Sequence, residues 1–210
     1  IYRCVRDKRD EIESAEVVHR PFCFEDAANY VMVGVRYVGK SYMLYQRVKQ
    51  LISDGHGWDE ILFVDFDDER LAEFTTDDFN LLLEAHLERY GKRPYIFLDE
   101  VQECKEIVTA IKFLVEEGSY RYILSGSLLG VELKDIRSAP VGYLDVLEMF
   151  PMDIEEFARA NGVSDRVMEH LQRCYDQKQE VEPLIHQKMM ELFRLYLLVG
   201  GMPAARYWTG

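Results

Sequence analysis

Between Val31 and Gln46 the chain reads VMVGVRYVGKSYMLYQ, with Gly34, Gly39, Lys40 and Ser41 in the spacing G-x-x-x-x-G-K-S. No other feature restricts the fold so strongly, because strand, loop and helix must meet within a few residues. The β-branched and aromatic run Asn29–Val33 predicts a strand. Leu44, Val48, Leu51 and Ile52 then recur at helical spacing, and Ser53-Asp54-Gly55 supplies a stop. A glycine-containing loop between two such elements turns its backbone N–H groups inward, and the helix N-terminus adds a partial positive charge. That arrangement is a cradle for phosphate. Gly34, Val35, Arg36, Tyr37, Val38, Gly39, Lys40, Ser41 and Tyr42 are therefore the candidate nucleotide-binding segment. Within it, Lys40 is expected to reach β- and γ-phosphates with its stem at most partly buried, and Ser41 to ligate magnesium. The competing reading is a glycine-rich turn in some other α/β protein.

The rest of the chain supplies the sheet such a loop requires. Ile61–Phe66 (ILFVDF), Tyr95–Glu100 (YIFLDE), Arg121–Ser127 (RYILSGS) and Tyr143–Phe150 (YLDVLEMF) read as further strands. Thr75–Asp78 opens a helix with hydroxyl caps and first-turn acids, and Gly91 ends it. Ile107, Val108, Ile111, Leu114 and Val115 mark another helix, closed by Gly118. Residues 1–28 are mixed and charged, which predicts a helix plus an extended arm. From Pro151 onward the pattern is helical only. Alternation of near-continuous apolar strands with helices predicts an α/β fold of the P-loop NTPase kind, a parallel five-stranded sheet sandwiched by helices. The expected division is a core at 1–150, with its N-terminal arm, and a small helical lid or extension at 151–210.

Ligands of open parallel sheets bind beyond the carboxyl ends of the strands. Polar residues stand at those ends here. Asp99 and Glu100 follow the strand residues Tyr95–Leu98, and Ser125 follows Tyr122–Leu124. Asp99 would hold magnesium, through water or through the Ser41 hydroxyl. Glu100 would orient a water for in-line attack on the γ-phosphate, and Ser125 would contact that phosphate or the water. The candidate catalytic residues are thus Lys40, Glu100 and Ser125, the metal residues Ser41 and Asp99, and the cofactors ATP and Mg2+. Taken singly, an acid at a strand end or a serine before glycine is an ordinary turn feature. An adjacent Asp-Glu pair favours hydrolysis, since a small-molecule kinase must exclude water.

A net charge of −13 opposes sequence-independent binding to DNA, whose affinity comes from Lys and Arg neutralising phosphates, so this region is an unlikely nucleic-acid binder. No apolar run approaches the ~20 residues of a membrane span. The four scattered cysteines form no C-x-x-C, which fits reduced thiols in a cytoplasmic protein. His170 and Cys174 stand one helical turn apart, and a solvated helix face is expected there rather than half a metal site. Beginning at Ile1 and ending in an apolar, glycine-containing segment, the chain reads as a piece of a longer protein.

Taken in order, VGVRYVGKSYMLYQ, FVDFDDERL, YIFLDEVQE, YILSGSLLG, VLEMFPMDIEEFA and LVGGMPAA resemble a group of bacterial and archaeal AAA+-type ATPases. The resemblance covers roughly residues 25–210. It implies an ATP-binding core with the sensor strand between the P-loop strand and the Asp-Glu strand. It also implies a helical extension and a C-terminal domain of uncertain function, proposed in that group to contain winged-helix and nuclease-like parts. Two positions depart from the pattern. Tyr37 replaces the second arginine of G-x-R-R, although Arg36 is kept, and Gly142-Tyr143 stands where Gly-Arg is frequent. Loss of that arginine bears on efficient hydrolysis; Arg137 could substitute or be a surface residue. Gly200–Pro203 is similar to the glycine-proline motif of signalling ATPases, in which Pro203 would lie near adenine, and helix termination is the alternative.

The expected function is magnesium-dependent ATP binding and hydrolysis coupled to conformational change in the attached C-terminal domain. A nucleotide-gated interaction switch with negligible turnover is the alternative, and a small-molecule kinase a third. The expected partners are ATP and ADP, the C-terminal domain and a homo-oligomer, with no membrane.

Overall fold

The computed structural model describes residues 1–127 and 144–202. Strand β1 (Tyr30–Val33) is buried at all four positions because it lies inside the sheet. With β2 (Ile61–Asp65), β3 (Tyr95–Asp99), β4 (Arg121–Gly126) and β5 (Asp145–Glu148), it forms a sheet of order β2-β3-β4-β1-β5. Every pairing is parallel. The expected α/β architecture is present, and β4 stands between β1 and β3 as the resemblance implied. The fifth strand is shorter than the run 143–150, and its exposed residues suit an edge. Asp99 and Ser125 lie within β3 and β4 rather than just beyond them.

Parallel strands must be covered on both faces. On one face Val31, Val33, Leu62, Val64, Ile96, Leu98, Tyr122 and Leu124 share a core with α3 (Thr76–Tyr90) and α4 (Lys105–Glu117), through Phe79, Leu82, Leu83, Ile107, Ile111 and Val115. Each fully buried side chain of this size contributes about 1.5–3 kcal/mol relative to exposure. On the other face α2 (Lys40–Ser53) buries Leu44, Val48 and Leu51. Its Tyr45 ring meets Phe63 at 5.7 Å, and Phe63 stacks on Phe97. Ile52, counted in the apolar stripe, is exposed because it falls on the outer edge of that helix.

Helix α1 (Tyr2–Ser14) buries Cys4 and Ile12, and an extended arm follows it. The Gln46 side chain fastens the arm by bonding both backbone groups of Arg20, at 2.8 and 2.9 Å. Thr75 caps α3 in a reciprocal box with Asp78, and Gly91 ends that helix.

The chain divides into two compact units, Ile1–Arg36 with Lys40–Met149, and Tyr37–Gly39 with the segment from Phe150 onward. In the second unit, α5 (Ile154–Ala160) starts from a capping box of Asp153 with Glu156. Phe157 and Ala158 of α5, Val163 and Leu192 of α7 (Pro183–Val199) form its small core. Helix α6 (Asp165–Gln177) carries His170 and Cys174. The expectation of a solvated face there is corrected at one position. Cys174 is 4% exposed, with its sulfur 3.5 Å from His170, whose ring pairs with Glu182 at 2.7 Å. One turn of helix separates the two side chains, yet they differ in exposure because they lie on either side of the boundary between apolar and polar faces.

Candidate functional site

Six residues separate the end of β1 from the start of α2, and within them the backbone turns sharply. Tyr37 has φ 65° and Gly39 φ 98°. Glycine adopts that region freely, whereas a tyrosine held there costs of order 1 kcal/mol. Tyr37 is 78% exposed and Tyr42 is also exposed, while Val38 is buried.

Lys40 differs from expectation. Its side chain is 2% exposed, and Nζ donates to the carbonyls of Gly34 at 3.3 Å and Val35 at 3.2 Å. The ammonium thus serves as a donor to two carbonyls of the loop. Burial lowers the Lys40 pKa, opposed by the charges of Glu100 and Asp99. Glu100 Oε1 lies 3.9 Å from Nζ.

Strand register places the acids. Asp99 is the last residue of β3, opposite Asp65 of β2, and Leu98 pairs with Leu124, so Ser125 stands beside Asp99. The Ser125 hydroxyl donates to Asp99 Oδ1. The Glu100 N–H reaches the same Oδ1 at 3.2 Å and Ser125 Oγ at 3.3 Å. Asp99 is 1% exposed. Burial pushes its carboxyl up to about 6, with the charges of Asp65 and Glu100 adding to the rise and hydrogen bonds from Ser125 and Ser41 opposing it. A carboxylate and a hydroxyl, Asp99 and Ser41, form the hard-oxygen pair that suits Mg2+, which takes one or two protein oxygens and completes its shell with water and phosphate. Among the described residues, no group of three or more His, Cys, Asp or Glu side chains could hold a metal ion.

Glu100 itself has φ 48° and ψ 47° and opens a short 3-10 turn, Val101–Glu103. Its Oε2 accepts from Gln102 Nε2 at 2.6 Å, and Gln102 Oε1 accepts from the Ser127 N–H at 3.2 Å. Gln102 stands within the stretch YIFLDEVQE, yet sequence reading passed over it. The available signal was its place two residues beyond the second acid. Arg36 reaches Glu103 at 3.7 Å across exposed surface.

One edge of the sheet therefore gathers Gly34, Val35, Lys40, Ser41, Asp99, Glu100 and Ser125. Pro203, Arg137, Gly142 and Tyr143 lie outside the described residues. Gly200 and Gly201 do end α7: the Gly200 N–H bonds the Tyr196 carbonyl at 2.8 Å.

The AAA domain family matches residues 27–158, from just before β1 into α5, and so includes every residue of this edge. The chain belongs to that family. Membership supports nucleotide binding and hydrolysis in general for this AAA domain. An uncharacterized protein, MJ1544 of Methanocaldococcus jannaschii, is 26% identical over 157 residues, which are 74% of this chain and 34% of that protein. The chain thus spans about a third of the relative's length. Among solved structures, the S. cerevisiae Hsp104-ADP complex matches with a TM-score of 0.52 at 15% identity, over 96% of this chain and 29% of that one. This is a likeness of fold. The C. elegans PCH-2 structure matches with a TM-score of 0.46 at 12% identity, over 99% of this chain and 59% of that one. No described helix is long and apolar enough to cross a membrane.

Proposed function

We propose that this AAA domain is a magnesium-dependent ATPase whose nucleotide state drives conformational change in an attached C-terminal domain. The observation that carries the reading is the meeting of Lys40, Asp99 and Glu100 at one sheet edge, with Glu100 3.9 Å from the lysine ammonium. Lys40 exchanges its two loop carbonyls for β- and γ-phosphate oxygens. The backbone of Gly34–Ser41, with Tyr42 opening the next turn, wraps the phosphates, and Asp99 and Ser41 hold magnesium. The bound ion supplies charge that neutralises β- and γ-phosphate oxygens. Glu100 accepts a proton from the attacking water and orients it, while Ser125 senses the γ-phosphate from its place against Asp99. Residues 151–210 serve as a helical extension leading into the C-terminal domain. The protein is cytoplasmic and assembles as a homo-oligomer, and its charge of −13 disfavours nucleic acid as a partner of this region.

Single-turnover hydrolysis with saturating ATP and magnesium tests this. Glu100→Gln keeps size and packing but cannot take the proton, so it binds ATP as the wild type does and hydrolyses at least ~10-fold more slowly. A wild type without measurable turnover, unchanged by Glu100→Gln, replaces the ATPase with the nucleotide-gated switch. Tyr143, standing where the resemblance leads one to expect arginine, is the feature that favours that second reading.

A further inference from the structure

We infer that Gln102 is a positioning residue for Glu100, tying its carboxylate to the end of β4 so that one oxygen faces the P-loop lysine. The inference rests on the proposed role of Glu100 as the group that orients water.

The backbone of Glu100 is already fixed. Its N–H bonds Asp99 and Ser125, its carbonyl accepts from the Glu103 N–H at 3.0 Å, and Val101 beside it is fully buried. These contacts sustain the left-handed conformation of Glu100. The side chain is another matter. A glutamate has several rotatable bonds, and ordering them costs conformational entropy, so a fixed backbone does not fix the carboxylate.

Gln102 does. Its Nε2 donates to Glu100 Oε2 at 2.6 Å, which leaves Oε1 as the oxygen 3.9 Å from Lys40. The amide orientation is determined by chemistry: the Ser127 backbone N–H can only donate, so the glutamine oxygen must face it and the NH2 must face the glutamate. The same nitrogen also reaches Glu103 Oε1 at 3.3 Å. Both ends of the amide are therefore engaged, one on β4's continuation and one on the acid after β3. The aim of Oε1 consequently follows any movement of the β4 end. Misplacing a reacting group by about 1 Å costs ~100-fold in rate. Asparagine, one methylene shorter, cannot span the same two partners.

The test is single-turnover ATP hydrolysis by the whole chain, with calorimetric ATP affinity and a thermal melt beside it. Gln102→Met preserves length and half-buried packing while removing both bonds. It is expected to slow hydrolysis ~10–100-fold with ATP affinity within about twofold of wild type. Gln102→Asn should show the same split, which guards against a folding defect in the methionine variant. In the double variant Gln102→Met/Glu100→Gln, the rate should equal that of Glu100→Gln alone, because there is no longer a base to aim. A wild-type or faster rate in Gln102→Met, with Glu100→Gln slow, overturns the positioning role and leaves the ATPase reading standing. Multiplicative losses in the double variant also overturn it. An unchanged rate in Glu100→Gln, or a wild type without turnover, instead removes the reading of Glu100 and this inference with it.

Discussion

Asp65 lies directly opposite Asp99 in the pairing of β2 with β3, and Lys8 of α1 holds the Asp65 carboxylate at 2.8 Å. Lys8 also pairs with Glu11 at 2.6 Å and donates to the Tyr45 hydroxyl at 3.2 Å. Burial opposes its charge, but the hydrogen bonds to Asp65 and Glu11 outweigh burial and hold it well above the usual lysine range. The N-terminal helix thus neutralises the second acid at the site's edge. Lys8→Met should destabilise the protein by about 1–3 kcal/mol, less than a fully buried pair because both side chains keep some solvent contact. Urea titration reads this, and Lys8→Met/Asp65→Asn should recover most of the loss. An unchanged midpoint for Lys8→Met would show the pair to be energetically idle.

Asp99 carries the opposite kind of perturbation. Its native pKa of about 6 lies above the ~3.9 of an unfolded aspartate, so the native state binds more protons between those values. Stability of the nucleotide-free protein from this group is therefore greatest below pH ~4 and falls as pH rises to about 6, by up to about 3 kcal/mol. Asp99→Asn removes the buried charge. It should stabilise the nucleotide-free protein at pH 7.5 and have little effect near pH 4, while impairing magnesium-dependent ATP binding. Equal stability changes at both pH values would refute the burial argument.

Replacement of Lys40 separates binding from folding. The ammonium satisfies the carbonyls of Gly34 and Val35, so Lys40→Ala costs about 1 kcal/mol of stability through their lost donor. The charged contacts to phosphate are worth more, and ATP affinity should fall at least ~10-fold. Calorimetric titration with ATP and magnesium, beside a melt, measures both. Unchanged affinity would remove the phosphate-binding assignment of the loop.

Close approach of two backbones makes a stability prediction in the helical unit. A Cβ on Gly201 would lie 2.0 Å from the Met152 carbonyl oxygen and 3.0 Å from its nitrogen. The same strands of chain exchange a bond from the Met152 N–H to the Gly201 carbonyl at 2.7 Å, and the Tyr196 hydroxyl caps the Met152 carbonyl. Gly201→Ala must push backbone apart and should cost about 1–3 kcal/mol. Gly200→Ala meets open space, but φ 75° with ψ −176° is a conformation essentially confined to glycine, so it too should cost about 1–3 kcal/mol, through backbone strain alone. Thermal melts measure both, and an unchanged midpoint for Gly201→Ala would contradict the contact.

The elements and their kind of sheet were legible in local patterns along the chain. G-x-x-x-x-G-K-S between an apolar strand and an amphipathic helix, near-continuous apolar runs and the Thr75/Asp78 cap are local patterns, readable because period and capping act within a few residues. Asp99, Glu100 and Ser125 were legible as candidates because all strands of a parallel sheet end on one edge. Long-range packing set the burial of Lys40 beneath two loop carbonyls, the sharing of Asp99 Oδ1 by Ser125 and Glu100, and the left-handed backbone of Glu100. The same holds for Lys8 against Asp65, Gln102 against Ser127 and the buried Cys174. These features depend on strand register and on distances between residues remote in the chain. Charge and hydrogen-bond energies change steeply over an ångström, and no local pattern encodes that distance.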